Sequence, residues 1–154
     1  MSETFKNVGE MLDYFAKEEN IQERFVEKLM SAYPHLFPKD ADGKPREPDC
    51  GAWCPVGWQP MVEELCANLC KIVEEKNVVF QIEQIKEKFG GLRFYYQGGD
   101  DNVTGMVRMA EAWADHSCEE CGALGKIRGG GWIRTLCDTH EAERQQHMKE
   151  RLVE

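Results

Sequence analysis

The stretch CEECGALGKIRGGGWIRTLCDTH, residues 118–140, opens on Cys-x2-Cys and closes on Cys-x2-His. Zinc favours four tetrahedral sulfur or nitrogen donors. A Cys-x2-Cys knuckle lets two thiolates of one tight turn face the same ion. Cys118 and Cys121 meet that need, and Gly122 relieves the backbone behind them. Fifteen residues separate Cys121 from Cys137, room for a hairpin that turns at Gly129-Gly130-Gly131 and brings the chain back. Cys137 and His140, three apart at a helix start, complete the set. Four protein ligands leave no open position, whereas a catalytic zinc keeps a water in its fourth place. The expectation is one Zn2+ per chain, structural, held by Cys118, Cys121, Cys137 and His140.

Knuckle, hairpin, then two ligands on the first turn of a helix is the order of a treble-clef zinc finger, which residues 118–154 resemble. Some HNH endonucleases are built on that scaffold, and they add a histidine base and a metal-binding histidine. His116 and His147 fall in no His-Asn-His arrangement, so a cryptic metal-dependent nuclease or hydrolase is the weaker alternative.

A chain of 154 residues with 42% apolar and 31% charged residues reads as one globular unit. The start, MSETFKNVGE, lacks a basic region followed by an apolar run. No window approaches the roughly 18 apolar residues of a membrane helix. The expectation is a soluble cytoplasmic protein with no membrane partner. Seven cysteines then point to metal ligands and buried thiols, because the cytosol keeps thiols reduced. A net charge of −9 disfavours non-specific contact with nucleic acid or anionic lipid and suits a basic partner or nucleic-acid mimicry.

Apolar residues at helical spacing predict helices over about 4–17 (Phe5, Val8, Leu12, Phe15) and about 20–32 (Ile21, Phe25, Val26, Leu29, Met30), joined by the polar Lys17–Asn20. Pro34 stops the second. Residues 38–51, PKDADGKPREPDCG, predict an open, mobile loop. A central helix follows at about 60–76, with Pro60 in its first turn. Next comes a β-hairpin at about 78–88 and 92–97 that turns at Gly90-Gly91. On its second strand Leu92, Phe94 and Tyr96 face the core, with Arg93 and Tyr95 outward. A helix at about 103–116 is capped by the Asp100–Asn102 run, which also argues against a magnesium site at Asp100 and Asp101. A terminal helix runs from Asp138 toward Glu154. The fold class is therefore α+β: helices packed on a short antiparallel hairpin, with a treble-clef-like zinc finger at the C-terminus. Its segments are 1–37 (helical), 38–59 (loop), 60–117 (helix, hairpin and helix) and 118–154 (finger and last helix), all in one globular unit.

Cys50-x3-Cys54 and Cys66-x3-Cys70 could together form a second four-thiolate site. Cys66 and Cys70 share their helix face with Val62, Leu65, Leu69 and Val73, which favours core packing. Cys50 and Cys54, in a Gly/Pro-rich loop, read either way. Lys86, Lys88 and Arg93 cluster beside Tyr95 on one hairpin, and Lys126, Arg128 and Arg134 beside Trp132 on the other. Basic residues interleaved with aromatics can hold phosphates and stack bases, so a nucleic-acid or nucleotide binder is a further alternative. Solvated strand faces that balance an acidic chain are the plainer reading. No GxSxG, HExxH or Cys/His nucleophile context occurs, and no catalytic residue is assigned.

Four blocks, YPHLF (33–37), VGWQPMVEELC (56–66), QIKEKFGGLRFYYQGGDD (84–101) and the 118–140 stretch, resemble a widespread group of small uncharacterised proteins encoded by bacteriophages and prophages. The likeness covers about residues 30–142. The family's Gly-Asp-Gly-Trp type turn stands here as Pro55-Val56-Gly57-Trp58. The resemblance implies phage or prophage origin and a zinc finger, and it brings no catalytic residues. The resulting expectation is a non-catalytic accessory protein that binds a host or phage macromolecule, inhibiting a host defence or a host enzyme.

Overall fold

The structure, a computed structural model, describes residues 7–152. One helix stands where two were expected: α1 runs unbroken over Val8–Ala32. The linking residues Lys17, Glu18, Glu19 and Asn20 include no proline or glycine. They are exposed, so their polarity costs nothing where a helix passes through solvent. Asn7 starts the helix by accepting from the Glu10 N–H, and Tyr33 ends it by donating back to Leu29 O just before Pro34. Only its C-terminal half joins the core, through Phe25, Val26 and Leu29. The stripe predicted to pack further back does not, since Val8, Leu12 and Phe15 are 67%, 59% and 54% exposed. Phe5, assigned to the same stripe, lies outside the described residues.

Residues 38–51 form a loop, as expected, and it is tied down by its own hydrogen bonds. The Asp40 carboxylate accepts from the backbone of Asp42 and Lys44, Arg46 N donates to Pro38 O, and Pro38 and Pro48 are buried. The chain then lies along the hairpin: Trp53 N donates to Ile85 O and Ile85 N to Gly51 O, a short parallel bridge on the strand's outer edge. A helical turn, Val56–Trp58, leads into α2, Gln59–Lys76, with Pro60 in the first turn. This helix buries Val62, Leu65, Cys66, Leu69 and Cys70.

The hairpin consists of β1, Phe80–Lys88, and β2, Gly91–Gly98, paired antiparallel with a bulge at Glu83. Its turn falls one residue earlier than predicted. Lys88 pairs with Gly91, and Phe89 and Gly90 take φ of 53° and 75°, the two left-handed positions of a mirror-type turn. Leu92 and Phe94 face the core and Tyr95 faces out, as the alternation predicts. The helix α3, Asp101–Ala114, is capped by Asp100. The Asp100 carboxyl lies below its ordinary pKa because it accepts from the Val103 N–H, aided by Asn102 and Lys76. Trp58, Leu29, Leu36, Leu69, Ile82, Ile85 and Leu92 form the fully buried centre where α1, α2, α3 and one face of the hairpin meet.

The last segment is a two-stranded hairpin, β3 (Lys126–Arg128) and β4 (Arg134–Leu136), followed by α4, Asp138–Arg151, none of whose residues is buried. Together these elements make an α+β fold with its Cys/His cluster near the C-terminus. Among the described residues no helix is long and apolar enough to cross a membrane.

Candidate metal centre

The knuckle forms because Gly122, at φ 76°, turns the chain sharply, its N–H donating to Cys118 O at 2.8 Å while Cys118 N donates to Ala123 O. The hairpin β3–β4 returns the chain, and Cys137 then caps α4, its carbonyl accepting from Glu141 N. His140 sits in the first turn of that helix. The donor atoms of Cys118, Cys121, Cys137 and His140 all lie within 4.8 Å of one another, close enough to bind a metal ion. Cys118 is buried, Cys121 exposed, and the other two half-buried. Cys121 Sγ is 3.9 Å from Cys137 Sγ, and His140 Nδ1 is 3.5 Å from Cys118 Sγ and 3.2 Å from Cys137 Sγ.

The start of α4 suits anionic sulfur at Cys137. The backbone N–H of His140, then that of Thr139, points at Cys137 Sγ and helps to draw its pKa below the ordinary thiol value. The Ala123 N–H also faces Cys121, but partial desolvation and the neighbouring Cys118 and Cys137 sulfurs hold that thiol above its ordinary pKa. His140 Nε2, on the far side of the ring, is 3.9 Å from Glu143 Oε2, where a carboxylate can orient a ligating imidazole.

Three contacts lock this knuckle to the core. Trp58, fully buried, donates its indole N–H to Ser117 O at 2.8 Å, and Gly57 N donates to Glu119 O at 2.7 Å. Thr135 Oγ1 donates to Gly90 O, so the tip of the first hairpin rests on β4. The Pro55-Val56-Gly57-Trp58 block is thus a docking turn. A Cβ at Gly57 would sit 2.1 Å from Cys118 O and 2.7 Å from Gly122 N. Gly57→Ala is therefore expected to destabilise the protein by about 2 kcal/mol through overpacking. Gly129→Ala, where an added Cβ meets nothing within 4 Å, is expected to be close to neutral, and paired thermal melts would check both.

Below the knuckle lies an ion-pair network that the sequence did not reveal. Glu119 is buried, accepting from Thr135 N at 2.8 Å and from Arg134 Nε at 3.0 Å, while Arg134 Nη2 reaches Glu120 at 2.7 Å. Burial pushes the Glu119 carboxyl above its ordinary pKa, and the Thr135 N–H and Arg134 draw it part of the way back. Arg128 bonds Asp138 at 2.6 Å and Leu136 O at 3.2 Å. Arg128 and Arg134 were expected as surface cations beside Trp132. Both are held inward, with side chains 15% and 12% accessible, because carboxylates remote in sequence meet them in the fold. Lys126 and Trp132 stay exposed. Arg144 also escaped the sequence reading: its Nη2 donates to the carbonyls of Gly129, Gly130 and Trp132, holding the glycine turn against α4.

Of the other basic-aromatic set, Lys86 meets Tyr95, while Arg93 is half-buried and donates to Leu92 O. Lys86 lies opposite Arg93 in the ladder, with Nζ 5.5 Å from the centre of the Tyr95 ring, and Lys88 Nζ lies 5.6 Å from that of Phe89. Cys54 and Cys66 are buried in the core, their thiols pushed up by burial, and Cys70 is buried beside Glu74. Cys50 is exposed, its carbonyl accepting from Gln84. Among the described residues these four do not converge as a metal-binding group. His116 and His147 are exposed and belong to no such cluster.

Fold and site together define an α+β domain carrying a Cys3His metal-ligand cluster. Comparisons with protein-family models, curated proteins and solved structures find no match to this chain.

Proposed function

We propose that the chain is a non-catalytic accessory protein of phage or prophage origin, braced by one structural Zn2+, that acts by binding a host or phage protein. The observation that carries the zinc assignment is the spacing of the donor atoms. Bonds of about 2.3 Å to sulfur and about 2.0 Å to nitrogen place tetrahedral donors about 3.8 Å apart for two sulfurs and about 3.5 Å apart for sulfur and nitrogen. The 3.9, 3.5 and 3.2 Å separations fall close to those edges. Three thiolates and an imidazole are a donor set that zinc prefers. When bound, zinc would supply cross-linking, since all four donors come from this chain and fill its usual coordination number. The residues around the site hold it to the core, through Gly57, Trp58, Glu119 and Thr135, which supports a scaffold role.

Binding of a protein rather than nucleic acid is supported by the −9 charge and by the inward pairing of Arg128 and Arg134, which removes two of the six cations expected to face phosphate. Inhibition of a host defence or host enzyme is the proposed consequence of that binding. Native mass spectrometry is expected to give one zinc per chain. The zinc-loaded protein is expected to leave DNA, RNA and cyclic nucleotides intact with added magnesium or manganese. Two zinc ions would restore the second thiolate site, and cleavage that tracks the purified protein would overturn the non-catalytic reading.

A further inference from the structure

We propose that the groove between α1 and the segment 47–53 is the docking site for a basic, amphipathic segment of the partner protein. This rests on the protein-binding reading above and gives it an address. The groove encloses about 820 Å3. Its floor is apolar: Val26 and Ile85 are buried, while Phe15 and Trp53 present 54% and 43% of their surface.

Five glutamates and one lysine line it, Glu18, Glu19, Glu23, Glu27, Glu47 and Lys86, so about four of the chain's nine net negative charges converge there. Glu18 accepts from Tyr14 and Glu47 from Ala52 N. Glu19, Glu23 and Glu27 form no ion pair among the described residues.

Those three stand at i, i+4 and i+8 on α1, where like charges repel along one helix face at about 0.2–0.5 kcal/mol per pair. Arg24 and Lys28 lie beside the row on α1, but among the described residues neither forms an ion pair with it, and Lys28 reaches across to Glu63 at 2.8 Å instead. The row is about 12 Å long, which two turns of a lysine- or arginine-bearing helix would match. The apolar floor beside it suits the opposite face of the same segment. Anionic lipid and nucleic acid are repelled by this charge.

The walls are already set. Gln22 donates to Cys54 O at 2.8 Å and accepts from Cys54 N at 3.2 Å, tying α1 to the segment, while Trp53 N and Gly51 O bond Ile85 on the strand beneath. A groove held in this way loses little ordering entropy on binding.

The test uses a fluorescein-labelled amphipathic peptide of lysine and leucine at helical spacing, with a glutamate-for-lysine peptide for comparison, titrated by anisotropy against the zinc-loaded full chain. Glu19→Gln/Glu23→Gln/Glu27→Gln is expected to raise Kd for the lysine peptide about tenfold. Its melting temperature should be unchanged or raised, because like-charge repulsion is removed. Trp53→Ala is expected to weaken binding without altering the salt dependence, whereas the triple variant should flatten it.

The proposal is overturned if the lysine peptide does not bind, if the triple variant binds within about twofold of the parent, or if neutralising Glu74 and Glu75 weakens binding as much. Any of these results removes the groove but leaves the protein-binding reading standing. The non-catalytic reading is decided separately, by the cleavage assay, which the groove variants do not affect.

Discussion

Cys121→Ser is expected to release the metal and unfold residues 118–151 while the centre formed by α1, α2, the first hairpin and α3 keeps its helical signal. Binding of a structural zinc supplies about 10–16 kcal/mol of apparent free energy in isolated finger peptides, comparable to the whole stability of a small domain. Little replaces it here. The strands β3 and β4 are three residues each, α4 buries no residue, and the apolar centre lies entirely before residue 118. Colorimetric zinc release together with far-UV circular dichroism would show a partial loss of structure that a chelator reproduces in the parent protein. A variant that lost zinc and kept its melting curve would mean that the network below the knuckle carries the segment by itself.

That network yields the second large effect. Glu119→Ala is expected to cost about 3–5 kcal/mol, the penalty for leaving a buried charge without its partner. The loss strands Arg134, whose remaining carboxylate is Glu120, and the Thr135 N–H, which loses its acceptor in a buried position. Glu119→Gln, which keeps an acceptor for Thr135, is expected to cost less than half as much. Urea denaturation of the zinc-loaded proteins measures both. A loss below about 1 kcal/mol for the alanine variant would place the pair among surface ion pairs of small worth.

What could be deduced from the sequence follows the range of the interactions involved. The Cys-x2-Cys knuckle, the Pro60 helix and the alternation Leu92, Phe94, Tyr96 are set by neighbours within a few residues, and the structure places each as expected. The turn missed by one residue because Phe89 adopts the left-handed conformation that the glycine pair was expected to supply. The break at Lys17–Asn20 was inferred from polarity, which ends a helix only where the helix is packed. Arg128, Arg134 and Arg144 could not be read correctly from composition. Their partners, Asp138, Glu119, Glu120 and the carbonyls around the glycine turn, come together only once the second hairpin has folded.

The contacts that fasten the knuckle join positions far apart along the chain: Gly57 with Glu119, Trp58 with Ser117, Gly90 with Thr135. Closing such long loops is slow compared with forming a helix or a hairpin, so these contacts come late in folding. A metal ion held by the four donors would then act as a latch on a nearly finished fold, and metal supply would time the last step of maturation. A nascent chain that meets no metal would stall with its centre formed and its final quarter open, a state with free thiols exposed to oxidation.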